Sequence, residues 1–224
     1  MKKLLIATDC FLPRWDGIAR FLDSLLPRIS QTFEITLLAP DFKGAPVSYK
    51  NVKIIRIPLL PFTIGDFTPA RRCTDIIKTQ VQKHDCVWIQ TIGSIGQLCA
   101  TFAKKLQKPY AVYIHSIDWQ LVHRSLSHKN ILAKPFGAVA KHIAKKIYSN
   151  AKILFVPSKE VKELMVWNGI QTDCEIIHLG IDTTLFAPNP NKNELKVELG
   201  FLPEHIIIGY VGRISGEKDI LTLY

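Results

Sequence analysis

The sequence predicts an α/β protein built on an open parallel sheet with helices on both faces. Two observations carry that expectation. Short runs of β-branched and apolar residues alternate with segments of helical periodicity along most of the chain. Those runs are apolar at successive positions rather than at every second one, as in strands buried on both sides. The composition agrees: 47% of the 224 residues are hydrophobic and 21% charged, which is ordinary for a globular protein. That length holds one large domain, or one domain and the beginning of another.

The elements follow in order. KLLIAT (3–8) is a buried strand. GIARFLDSLLPRIS (17–30) places Ile18, Phe21, Leu22, Leu25, Leu26 and Ile29 at helical spacing, with Pro27 distorting its end. FEITLLAP (33–40) and VKIIRIPL (52–59) are strands. PARRCTDIIKTQVQKH (69–84) reads as a helix with Pro69 near its first turn. Strand CVWIQ, helix IGQLCATFAKKLQ and strand YAVYIH come next, the last ending on His115. KPFGAVAKHIAKKIYSN (134–150) is a basic amphipathic helix. AKILFVP is a strand, and Ser158 then caps the helix KEVKELMVWNG, which Gly169 terminates. CEIIHL (174–179) is one more strand.

From Thr183 the composition changes to prolines, asparagines and one short helix, which reads as a linker over residues 184–203. A fresh strand, HIIIGYVG (205–212), follows it. The expected organisation is a first domain over 1–183, that linker, and over 204–224 the opening strand and loop of a second, incomplete domain. One strand and a turn of helix cannot build a core.

The start, MKKLLIATDCFLP, is too short and meets Asp9 too soon to be a leader, and no apolar run approaches the roughly 20 residues of a membrane span. The expected location is therefore cytoplasmic, extending to the inner membrane face if the basic surface binds lipid. Five cysteines at scattered positions without a Cys-x-x-Cys pair fit buried thiols in a reducing compartment and exclude the common zinc spacings. The formal net charge of +10 favours an anionic partner: nucleic acid, anionic lipid or a phosphorylated substrate.

In an open parallel sheet the ligand crevice lies at the carboxyl ends of the strands. Three loops fall there. GYVGRISGEK has glycines that admit an anion close to the backbone, here Gly212, with Arg213 as a planar fork and Lys218 as a point charge. It matches neither the Gly-x-Gly-x-x-Gly dinucleotide fingerprint nor a P-loop, and the alternative is a tight turn with solvated charges. In DCFLPRWDGIARF, Gly17 precedes a helix whose first amides are expected to be free, and Arg14 and Trp15 pair a charge with an aromatic. The alternative is an ordinary turn with Asp16 as the helix cap. His115 points into the crevice, followed by Asp118, where it can bond a sugar hydroxyl or steady a leaving phosphate; a structural histidine is the other reading. No set of residues stands at metal-ligand spacing. The basic helix is read as a solvated face or as a surface resting on anionic lipid, with Trp119 and nearby leucines dipping in.

Taken together, FLPRWDGIARF, HLGIDTTLFAP and GYVGRISGEKD, with FVPSKEVKELM, resemble the loops of the retaining nucleotide-sugar glycosyltransferases called GT4. The interdomain signature falls on Gly180, Ile181, Asp182, Phe186 and Pro188. The resemblance covers nearly the whole chain. It implies a GT-B architecture of two Rossmann-like domains, of which this chain holds the N-terminal, acceptor-side one and the start of the donor domain. It implies that Gly212, Arg213 and Lys218 grip the donor diphosphate, with Gly17 beneath the diphosphate and sugar. His115 would be the catalytic-site contact to the donor sugar near its 6-hydroxyl. Arg14, Trp15, Asp16 and Asp118 become acceptor or sugar contacts. Donor and acceptor would be a nucleotide-sugar and a lipid or glycan, with no cofactor or metal, because cationic side chains neutralise the leaving diphosphate. The sequence departs from the pattern at Ile18 and Asp219, where the family carries glycine, and it lacks the family's Glu-x7-Glu segment. The 224 residues alone are therefore expected to be inactive.

The rival readings are a dinucleotide-dependent oxidoreductase, which lacks its glycine fingerprint, and a nucleic-acid module, supported by charge alone. A partner subunit that kept the fold without activity is a third.

Overall fold

The computed structural model of the chain describes residues 1–64, 67–117, 119–120, 133–212 and 220–223. These form two compact units, Met1–Leu179 and Gly180–Tyr224.

The first unit is a seven-stranded sheet. Its strands are β1 (Lys2–Ala7), β2 (Phe33–Pro40), β3 (Val52–Ile57), β4 (Cys86–Ile89), β5 (Tyr110–Tyr113), β6 (Ile153–Val156) and β7 (Cys174–Ile176). They run in the order β3-β2-β1-β4-β5-β6-β7, every pairing parallel. The helices are α1 (Gly17–Ile29), α2 (Thr74–Lys83), α3 (Ser94–Lys105), α4 (Ala133–Tyr148) and α5 (Lys159–Trp167). This is the Rossmann-like sheet that the alternating pattern predicts.

Two separate cores form on the two faces. Leu4, Ile6, Leu22, Leu26, Ile35 and Leu37 pack β1 and β2 against α1. Leu5, Val87, Ile89, Val112, Leu154 and Val156 face the other way, onto α2, α3, α4 and α5. Opposite burial of neighbours such as Leu5 and Ile6 follows from the two-residue period of a strand, and it is why these runs are apolar throughout.

Local chemistry sets the helix ends. The Asp16 carboxylate accepts from the amides of Ile18 (3.0 Å) and Ala19 (2.9 Å), which starts α1. Ser158 does the same for α5 through Val161 at 3.5 Å. Gly169, at φ +74°, closes α5: its amide donates to Val166, and that of Ile170 to Met165. Pro27 lies inside the last turn of α1, which runs on through it to Ile29.

Three expectations are corrected. Helix α2 begins at Thr74, well past Pro69, because the Pro69 carbonyl accepts from Leu60 and the Arg71 amide donates to Pro58, tying that segment to the chain leaving β3. Strand β5 ends at Tyr113, so His115 lies two residues beyond it, after Ile114 has donated to Phe155. Trp119 does not face outward: it is 8% exposed and belongs to the main core, with the Lys141 ammonium 5.9 Å from its ring centre. On α4, Phe136 (55%) and Val139 (57%) are the exposed apolar residues instead, while Ala144, Ile147 and Tyr148 are buried.

The second unit contains α6 (Lys192–Glu198) and a short 3-10 turn, Ile220–Leu223. Asp182 organises its entry. One carboxylate oxygen accepts from the Thr184 amide (3.0 Å) and hydroxyl (2.6 Å), while its carbonyl accepts from the amides of Leu185 and Phe186. Gly200, at φ +82°, ends α6 as Gly169 ends α5. Lys196 then donates to the carbonyls of Pro203 and His205, both at 2.7 Å. The segment expected as a fresh strand, 205–212, forms none among the described residues, and Ile206, Ile208 and Val211 are largely exposed. A strand is defined by its neighbour, and no described segment pairs with this one.

Candidate functional site at the carboxyl edge of the sheet

Strand order reverses between β1 and β4, so the loops after these strands flank the switch point where open α/β sheets take their ligands. In this protein the switch point is filled by its own carboxylate. Asp9, 2% exposed, accepts from the amides of Ile95 (2.9 Å) and Gly96 (3.3 Å) at the start of α3. It also accepts from the hydroxyls of Thr91 (2.8 Å) and Ser94 (3.1 Å). The Thr91 oxygen in turn accepts from the Asp9 amide (2.6 Å), and that of Ser94 from Ala70 (2.8 Å). All four of these partners donate to Asp9. Burial raises the Asp9 pKa, and these hydrogen bonds pull it back. The glycines of this turn are required by close approach. A side chain at Gly93 would meet the Asp9 carboxylate at 2.5 Å, and one at Gly96 the Thr91 carbonyl oxygen at 1.8 Å.

The loop after β1 is held rigidly. Phe11 is fully buried, and Arg56 from β3 donates to the carbonyls of Leu12 (2.7 Å) and Pro40 (3.0 Å) with its guanidinium 5.4 Å from the Phe11 ring centre. Beyond this anchor the chain turns outward. Arg14 pairs with Asp16 (3.4 Å) and lies over Phe42. Trp15 is 60% exposed, with Arg20 stacked at 5.5 Å. Gly17 is exposed, and no atom stands within 4 Å of the place a side chain would take. The amides expected to be free at this helix start are taken up by Asp16 at Ile18 and Ala19, so the cap reading of Asp16 describes its geometry. Burial, then the Asp16 charge, push the Cys10 thiol up to about 12, which leaves no thiolate nucleophile there.

His115 stands on the loop after β5. Its ring stacks on Tyr113 (4.4 Å between centres) and meets Phe21 of α1 edge-on (5.2 Å). Its Nε2 is 2.9 Å from Oε1 of Gln90, the residue after β4, which is 1% exposed and whose amide donates to Ala7. Burial lowers the His115 pKa to about 4, so the ring is neutral at pH 7. A neutral imidazole suits a hydroxyl and gives no charge to a phosphate, which separates the two roles considered for it.

Of the predicted site residues, Arg14, Trp15, Asp16 and Gly17 share the first loop, and His115 stands on a second loop of the same edge. Gly212 lies in the second unit, where an added side chain would meet the Tyr210 hydroxyl at 2.7 Å. Arg213, Lys218 and Asp118 lie outside the described residues. Asp9, Gln90 and Arg56 were missed. The two glycines of TIGSIGQ were the available signal for Asp9, since they mark a backbone that must be approached closely.

Over the whole chain the protein aligns with sucrose-phosphate synthase from Thermosynechococcus elongatus at a TM-score of 0.66, with 15% identity and 58% of that chain covered. That likeness establishes the fold. The sequence model of Glycosyltransferase Family 4 matches residues 15–185, most of the chain, and the protein belongs to that family. Among its relatives is the GDP-mannose-dependent alpha-(1-6)-phosphatidylinositol monomannoside mannosyltransferase of Mycolicibacterium smegmatis. It is 22% identical over 226 residues, covering 96% of this chain and 54% of the relative. A GDP-mannose-dependent alpha-mannosyltransferase of Corynebacterium glutamicum is also 22% identical, over 99% of this chain and 53% of its own length. The chain spans about half the length of these relatives.

Proposed function

We propose that this chain is the acceptor-side part of a retaining hexosyltransferase that moves a sugar, with mannose from GDP-mannose the first candidate, from a nucleotide-sugar to a lipid or glycan acceptor. The observation that carries this reading is the neutral His115, set among Gln90, Tyr113 and Phe21 at the carboxyl edge of a Family 4 sheet. It is a hydroxyl partner on an aromatic-walled step, which suits a sugar. Both helix starts that flank the switch point, those of α1 and α3, hold protein carboxylates, Asp16 and Asp9.

In this reading the diphosphate is held by the Gly212 backbone and by the charges of Arg213 and Lys218, without a metal. Gly17 lies beneath the diphosphate and the sugar, and Arg14 and Trp15 with Asp16 and Asp118 contact the acceptor or the sugar. Residues 1–224 alone bind without turning over, because the relatives are nearly twice as long. A lipid acceptor would bring the protein to the inner face of a membrane through the basic α4, with Phe136 and Val139 rather than Trp119 entering the surface. The test is NMR of the chain with GDP-mannose, UDP-glucose and NAD in parallel. The reading expects a sugar-nucleotide to shift the Trp15 indole and the Gly17 amide while NAD shifts neither. The reverse result would replace the transferase reading with the oxidoreductase one.

A further inference from the structure

Two buried donors near this edge, Trp88 Nε1 on β4 and Gln90 Nε2 just after it, have no hydrogen-bond partner among the described residues, and Gln90 is the one beside His115. One amide atom, Oε1, sits 2.9 Å from His115 Nε2. The other, Nε2, is buried and has no hydrogen-bond partner among the described residues. His115 bonds through Nε2. A buried amide donor is rarely left unpaired in a fold. We propose that Gln90 is a positioning residue: its oxygen holds the Nε2 proton of His115, so that Nδ1 is presented as a bare acceptor and the site takes an O–H group.

The chemistry is self-consistent. A neutral ring has one donor and one acceptor nitrogen, and the partner of the first decides which is the second. Gln90 is itself fixed, because its backbone amide donates to Ala7 (2.8 Å) as an extension of the β1–β4 pairing. The ring cannot turn away, since Tyr113 and Phe21 pack on it. The bare Nδ1 acceptor calls for a group that gives a hydrogen bond. A hydroxyl does so, and an ionised phosphate oxygen does not. This rests on the sugar-transfer reading for the identity of the hydroxyl, but the tautomer does not depend on it.

The experiment is long-range nitrogen–proton NMR of the His115 ring in the chain and in Gln90→Met and Gln90→Glu, with methyl α-mannoside as the added probe. Gln90→Met removes both amide atoms at similar volume; Gln90→Glu keeps the acceptor oxygen. The wild-type ring is expected to carry its proton on Nε2. Gln90→Glu retains that, and Gln90→Met gives a mixture of the two tautomers with the rest of the spectrum unchanged. Methyl α-mannoside is expected to shift the wild-type ring, and Gln90→Met to weaken that binding about tenfold. An Nδ1 proton in the wild type, or a tautomer indifferent to Gln90→Met, overturns the proposal. A sugar response that is equal in wild type and Gln90→Met also overturns it, while leaving sugar binding standing. The expected tautomers with no sugar response support the positioning role and remove the sugar-site reading at His115.

Discussion

Two neighbouring sites on one sheet edge contrast sharply. At Asp9 each donor and acceptor meets its match: two amides and two hydroxyls converge on one carboxylate, and those hydroxyls accept in turn. At His115 the bonding is half finished, with one nitrogen tied to Gln90 and an amide donor left over. The first site is closed and holds the fold together. The second leaves an amide donor without a partner among the described residues.

The largest expected effect comes from breaking the closed site. Gly96→Ala places a carbon 1.8 Å from the Thr91 oxygen and forces the start of α3 away from Asp9, so a loss of about 4 kcal/mol or more is expected in urea unfolding. Asp9→Asn leaves at least one of four converging donors unmatched, with an expected loss of about 3 kcal/mol.

The open site is sharpened by pH. The folded-state pKa of His115, about 4, lies below the ordinary 6.5, so the unfolded chain binds the proton first. Its contribution is complete above pH 6.5 and is lost as pH falls towards 4, at most about 3 kcal/mol. His84, also lowered by burial, adds a slope of its own, so the informative quantity is the difference between wild type and His115→Phe across pH 4 to 6.5. Equal slopes in the two proteins would mean that His115 is not buried as described.

Smaller effects follow at the surface. Asp16→Ala removes the cap of α1 and should cost about 1 kcal/mol in thermal or urea unfolding. The paired change Phe136→Ser and Val139→Ser should alter stability by less than about 0.5 kcal/mol, since both are exposed. The same change should reduce pelleting with anionic vesicles and leave neutral vesicles unaffected. Unchanged pelleting would free α4 from any membrane role.

The contrast also marks what the sequence could tell. The central strand β1 was legible because it buries both faces and so reads as an uninterrupted apolar run from Leu4 to Ala7. The starts of α1 and α5 were legible from Asp16 and Ser158, whose capping is a contact within three residues. Asp9 and Gln90 were not, because their partners lie 82 to 87 and 25 residues away and no local pattern records them. Trp119 was misread for the same reason: a tryptophan upstream of a basic helix looks interfacial until the sheet beneath it is known. The stretch 205–212 has the composition of a strand, but strand formation belongs to a pair of segments.

The most direct test of the account is a chemical-shift map of the chain on adding GDP-mannose. The account predicts that the ring signals of His115 and the side-chain amide of Gln90 move while the amides of Ile95 and Gly96 stay fixed. Movement at Ile95 and Gly96 with His115 unchanged would contradict it, because the closed site would then be the one that takes the ligand.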